Sequence, residues 1–204
     1  MTTNGRCSLL VSAAVLLASL GALGMPSAVA GVISARPADL QLMREVEDQS
    51  FLGLEMLGGL QASDAPGRIV DAIDRYVVDL QAKNSVPWDA WYKYYTPLGA
   101  LWGEEIGRTY DWEWERVWLD ENEGQFVYAI VSPDRSMVIY PFRYLIACLE
   151  DGKPIAVSRV YQALGDEREG LDFPPGSYTD ILANPEVLLM PESESRGTGE
   201  QESP

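Results

Sequence analysis

The sequence predicts an α+β fold, with helices first, a three-stranded antiparallel meander in the middle and further helices after it. Two changes of hydrophobic period support this prediction. Apolar residues recur at helical spacing up to Tyr110, alternate with polar ones from Trp112 to Trp118, and return to helical spacing after Pro141. Polar turns separate the apolar runs of the middle part, and such short connections favour antiparallel pairing of consecutive strands.

The N-terminal segment, residues 1–30, is typical of an export signal. One base, Arg6, precedes an apolar run from Leu9 to Leu23, which is shorter than the roughly twenty residues that span a bilayer. An Ala-Val-Ala triplet ending at Ala30 has the small residues that a signal peptidase requires. We therefore expect cleavage after Ala30 and a periplasmic or secreted protein. The alternative is an uncleaved membrane anchor.

Two helices are predicted at the start of the exported part. The first covers Arg36–Leu60, opens with Pro37 and ends at Gly58-Gly59. The second follows a cap at Ser63 or Asp64 and has the clearest helical pattern, because its apolar residues fall at i, i+4, i+7, i+8 and i+11. These residues are Ile69, Ile73, Tyr76, Val77 and Leu80.

A segment dense in aromatic residues precedes the third predicted helix. Its rings are Trp88, Trp91, Tyr92, Tyr94 and Tyr95. Thr96 followed by Pro97 is typical of a helix cap and first turn, so the helix is predicted from there to Tyr110. Three of the rings are spaced as one helical row, which is usually core but can also stack on sugars or hold a proline-rich peptide. The rings off that row are expected to leave an exposed interaction patch.

Three strands and two more helices complete the predicted domain, which covers residues 31–190. The strands are Trp112–Trp118, Phe126–Val131 and Met137–Tyr140, and the helices run from Pro141 to about Gly152 and from Pro154 to Leu164. The first strand presents one aromatic face. Residues 191–204 contain no apolar side chain larger than proline and are predicted to be a disordered acidic tail.

Composition excludes several kinds of chemistry. The chain has no histidine, so it cannot form Ser-His-Asp or Cys-His catalytic sites or histidine-containing zinc sites. Cys148 is the only cysteine left after the predicted cleavage, and its apolar neighbours predict a buried, inert thiol. We predict no cofactor and no metal.

The charge of the chain bears on its partners. With 15 basic and 31 acidic residues, the formal net charge is −16. This excess of acids disfavours nucleic acid and anionic membranes, and it is compatible with a basic protein partner or simply with solubility. Stable membrane insertion after signal cleavage is not expected.

A mechanism that needs only carboxylates stays open, since a glycosidase requires two suitably placed acids. The candidates are Glu104 and Glu105 on the third helix, with Glu113 and Glu115 on the first strand. Burial of an acid there would raise its pKa, as a general acid requires. The simpler interpretation is an ion pair with Arg108, three or four residues later, on a solvated helix face.

Part of the chain resembles a family of small bacterial domains of unknown function. The matching motifs are Leu98–Glu105, Trp112-x-Trp114, Val131–Ser136 and Tyr140–Phe142. The resemblance covers Pro97 to Leu149 and implies a helix with a Leu-Gly-x-x-x-Gly-Glu segment that leads into short antiparallel strands. It implies no activity and no catalytic residues.

Together these observations predict an exported, non-enzymatic binding protein, for example an inhibitor of a basic partner. The candidate binding residues are Trp88, Trp91, Tyr92, Tyr94, Tyr95, Glu104 and Glu105. Two alternatives stay open: a cell-wall carbohydrate-binding module or carboxylate-dependent hydrolase, and a structural envelope component.

Overall fold

The computed structural model describes residues 32, 34–83, 90–119, 126–151, 155–165 and 173–183. Its helices are α1 (Leu40–Leu57), α2 (Pro66–Lys83), α3 (Tyr92–Tyr110), α4 (Pro141–Asp151) and α5 (Val157–Gly165). Its strands are β1 (Ser34–Pro37), β2 (Glu113–Trp118), β3 (Phe126–Val131), β4 (Met137–Ile139) and β5 (Thr179–Asp180). The predicted α+β class is confirmed. The predicted signal, Trp88 and the predicted tail lie outside the described residues.

The strands form one sheet in the order β1-β2-β3-β4-β5. The predicted meander is confirmed, since β2 pairs antiparallel with β3, and β3 with β4. The prediction of three strands was incomplete, because β1 adds antiparallel to β2 at one edge and β5 adds parallel to β4 at the other. These two strands have four and two residues, too few to show an alternating pattern of their own.

Helix α1 begins later than the sequence predicted. Pro37 belongs to β1, and the helix is capped by Asp39, whose Oδ1 accepts a hydrogen bond of 2.9 Å from the backbone N–H of Leu42. The predicted end at Gly58 is confirmed, with a positive φ of 64° that favours glycine.

Helix α3 begins earlier than predicted, at Tyr92, so Pro97 lies inside the helix instead of in its first turn. The N–H groups of Tyr94 and Tyr95 already bond to the carbonyl of Trp91, at 2.9 and 3.1 Å. A proline five residues after the start removes only one helical hydrogen bond. Tyr95 and Pro97 are both buried, and their burial compensates for the lost hydrogen bond.

The main core lies between the helices and one face of the sheet, with α3 at its centre. Trp102 of α3 is completely buried there. The glycines of α3 let aromatic rings approach the helix: Gly99 faces Phe142, and Gly103 faces Trp114 of β2. A smaller cluster on the other sheet face contains Val117, Ala129, Val131, Val138 and Tyr140.

Cys148 is fully buried, as its apolar surroundings predicted. Within the described residues, no helix combines the length and the apolar character needed to cross a membrane.

Candidate functional site

A cleft of about 590 Å³ opens where the β1–α1 connection, α1, the last turns of α3 and the start of β2 meet. The described residues that line it are Pro37, Ala38, Met43, Glu104, Gly107, Arg108, Trp112, Glu113 and Trp114. They come from three separate stretches of the chain. Both apolar and charged side chains therefore face the cleft.

A tight turn between α3 and β2 brings two of these stretches together. Asp111 adopts the left-handed conformation, with φ 60° and ψ 30°, and its N–H donates a hydrogen bond of 3.0 Å to the carbonyl of Gly107. The chain therefore reverses within two residues, and Trp112 and Trp114 fold back onto the helix that has just ended.

Glu104 is a half-buried carboxylate at the wall of the cleft. Its Oε1 accepts a hydrogen bond of 3.1 Å from the indole N–H of Trp114. Burial raises the pKa of Glu104, the hydrogen bond from Trp114 opposes that rise, and the nearby carboxylate of Glu47 adds to it. Glu47 on α1 thus lies close enough to contribute to the negative potential of the cleft.

Glu105 forms the predicted ion pair with Arg108, but on a buried face. The residue is only 4% exposed, so the expectation of a solvated face was wrong. Burial raises the pKa of Glu105 to about 7, although the guanidinium of Arg108 acts in the opposite direction. The helix turns this acid toward the core because position 105 lies on the same side as the buried Leu101 and Trp102.

Arg108 is held by several acceptors at once. Besides Glu105, it donates to the backbone carbonyl of Ala62 and, at 3.0 Å, to that of Asp64. The guanidinium therefore ties α3 to the α1–α2 connection. Among the described residues that line the cleft it is the only cation, and it is held by Glu105 and by these two carbonyls.

The charge left over in the cleft is negative. Glu113 is exposed at the start of β2, and Glu104 is half-buried on α3. Trp112, which is 4% exposed, carries an indole N–H that has no acceptor within the described part of the chain. The described lining therefore combines two carboxylates and one guanidinium with apolar surface.

The predicted aromatic patch lies elsewhere. Tyr95 is buried, and Trp91, Tyr92 and Tyr94 are partly buried against the main core. Ten helical residues separate Tyr94 from Glu104, which corresponds to about 15 Å along α3. Of the described residues lining the cleft, none belongs to this aromatic segment, and the structure does not bring the two groups of candidates together.

Glu115, the other candidate on β2, is occupied within the fold. It is 2% exposed, and its Oε1 accepts bonds of 3.0 Å from both Nε and Nη2 of Arg135. Its Oε2 accepts a hydrogen bond of 3.1 Å from the hydroxyl of Tyr178. This carboxylate links β2 to the β3–β4 turn and to the segment before β5, so we assign it a structural role.

Sequence reasoning missed Met43 and Pro37 as parts of the site. Both are ordinary apolar residues in sequence, and neither belongs to a motif. Only the pairing of β1 with β2 places the β1–α1 connection beside the end of α3.

No protein-family model, no curated protein and no solved structure matches this chain. The resemblance to a bacterial domain family therefore stays a prediction.

Proposed function

We propose that this protein is an exported, non-enzymatic binding protein whose acidic cleft takes a cationic segment of a partner protein. One observation carries the proposal: the cleft combines Glu104 and Glu113 with apolar surface, while the cation in its described lining, Arg108, is already bound to Glu105. An arriving lysine or arginine would thus meet two carboxylates, and the single guanidinium of the described lining is already held by Glu105 and by the carbonyls of Ala62 and Asp64.

The apolar part of the lining suits the same kind of ligand. Lysine and arginine carry long aliphatic stems that pack on apolar surface while the charged end reaches a polar partner. Met43 and Pro37 provide such surface beside the carboxylates. A basic peptide segment therefore fits both components of the cleft.

The charge of the whole chain supports this assignment. A formal net charge of −16 attracts a basic protein over a distance and raises the rate of encounter, most strongly at low salt. The predicted export signal would place the protein where basic secreted enzymes or toxins act. Inhibition of such a partner is the role that we propose.

A peptide titration tests the proposal. The probe is a peptide with blocked termini that carries two arginines before and two arginines after a central leucine. The comparison peptide has glutamate in place of every arginine. We expect Glu113→Gln to weaken binding of the basic peptide about fivefold, the effect of losing one charge pair of roughly 1 kcal/mol. Glu55→Gln, which removes an exposed charge at the far end of α1, is the matched control and should leave binding unchanged.

Salt provides the second arm of the same experiment. Raising the ionic strength from about 0.05 to 0.3 M shortens the Debye length and should weaken binding of the basic peptide several-fold. Equal affinity for the basic and acidic peptides, or equal effects of Glu113→Gln and Glu55→Gln, would contradict the proposal.

A further inference from the structure

One side of α1 carries large apolar side chains that are open to solvent. Leu40 is 80% exposed, Phe51 is 60% exposed and Met43 is 37% exposed. Their positions, i, i+3 and i+11, place them on one side of the helix. We call these three residues the α1 stripe. Large apolar side chains grouped on a surface in this way mark interaction sites more often than isolated ones do.

The α1 stripe is continuous with the cleft, because Met43 belongs to both. From Leu40 to Phe51 the helix advances eleven residues, which is about 16 Å or three turns. A single side chain would not cover a surface of this length. An amphipathic helix of three turns presents an apolar face of matching length, with anchors at i, i+4, i+7 and i+11.

The charges around the α1 stripe determine which charge the polar face of a bound partner should carry. Glu47 lies four residues after Met43 and four before Phe51, so an exposed carboxylate sits within the stripe. Over its whole length α1 contains four acids and one base, Arg44, which is exposed one turn after Leu40 on the same side of the helix, so the helix carries an excess of three acids. Together with Glu104 and Glu113 at the cleft, these acids favour a basic partner and repel an anionic membrane surface.

We propose that the partner segment is a basic amphipathic helix of about three turns, with its apolar face on the α1 stripe and a lysine or arginine from one end in the cleft. This inference rests on the proposed function and specifies the form of the partner. It differs from the simpler case in which an extended basic peptide occupies the cleft alone.

Two peptides of identical composition distinguish these cases. The first is a blocked 14-residue peptide in which leucines and lysines follow helical spacing, and the second has the same residues scrambled so that no apolar face forms. We expect the helical peptide to bind the whole protein about tenfold more tightly than the scrambled one.

Substitution of the α1 stripe should remove this difference. Phe51→Ser and, separately, Leu40→Ser should bring the affinity for the helical peptide down to about that for the scrambled peptide. Both side chains are exposed, so the variants keep the core intact. Val78→Ser, on the exposed side of α2, is the matched control and should retain the preference.

The outcomes separate the two proposals. If both peptides bind equally and Glu113→Gln still weakens them, the cleft binds a basic segment but the helical docking is wrong. If neither peptide binds, both proposals fail. If Phe51→Ser instead converts a dimer into a monomer in sedimentation velocity, the α1 stripe joins two copies of this chain and the docking proposal is overturned.

Discussion

At the scale of single residues, Glu105 shows how burial and an ion pair act against each other on one side chain. Burial raises its pKa from 4.5 to about 7, while Arg108 opposes the change. Between these two values the folded protein holds a proton that the unfolded chain has lost. The free energy of unfolding therefore falls as the pH rises from about 4.5 to about 7.

Replacement of Glu105 by glutamine should remove this pH dependence. Glutamine resembles the protonated acid, so we expect E105Q and the wild type to have similar stability near pH 4.5. At pH 8 we expect E105Q to be more stable by about 2 kcal/mol, because the wild type then buries a charge. Urea denaturation at the two pH values measures the difference.

The control is Glu55→Gln, which removes one exposed charge from α1 and keeps Glu105, so it should retain the pH dependence of the wild type. Burial also raises the pKa values of Glu104 and Asp180, but both carboxyls are present in the variant and in the wild type, so the difference between the two proteins reports on Glu105. A variant E105Q that is less stable than the wild type at pH 8 would mean that the ion pair with Arg108 outweighs the cost of burial.

At the scale of elements, the contact between α1 and α3 depends on a glycine. A Cβ atom at position 53 would lie 2.7 Å from the carbonyl oxygen of Pro97 and 3.1 Å from Cβ of Leu101. The nearer neighbour is backbone, which cannot rotate away. The two helices can approach this closely only because Gly53 has no side chain.

Gly53→Ala should therefore destabilise the protein by about 2 kcal/mol, since the helices must separate to admit one methyl group. Gly67→Ala in α2 is the matched control. A Cβ atom there meets only the ring of Tyr161, at 4.0 Å, and alanine favours helix, so we expect a gain of about 0.5 kcal/mol. The midpoint of thermal unfolding measures both effects. A shift of both midpoints in the same direction would contradict the proposed role of Gly53.

Elements with a long, regular pattern were predictable from the sequence. The apolar stripe of α2 is buried at Ile69, Ile73 and Val77 as predicted, and β3 has the predicted bounds. β1 and β5 were not predictable, because neighbouring strands supply their stability and four or two residues show no period. At α3 the local cap signal of Thr96 and Pro97 was misleading, since burial of Tyr95 supports an earlier start.

At the scale of the whole molecule, the site arises from parts that are distant in sequence. Glu104 was predicted as a candidate and lines the cleft, but its neighbours Pro37 and Met43 come from more than sixty residues earlier. The sequence shows that α3 has an aromatic end and an acidic end. It does not show which of them stays open, because that depends on where β1 and α1 pack.

This arrangement places part of the negative charge of the chain next to the cleft. Carboxylates at the cleft and along α1 lie beside an exposed apolar surface, whereas Glu105 and Glu115 are buried and paired with arginines within the fold. A basic partner would be attracted by the whole molecule and positioned by the cleft.

Amide chemical shifts of the labelled protein identify the surface that binds the basic peptide. Titration of the labelled protein with the basic peptide should shift the amides of Ala38, Met43, Gly107 and Glu113, which surround the cleft. The amides of Tyr92 and Tyr94, about 15 Å away along α3, should stay unchanged. Shifts confined to the aromatic end of α3, or no shifts at all, would contradict the assignment of the cleft as the binding site.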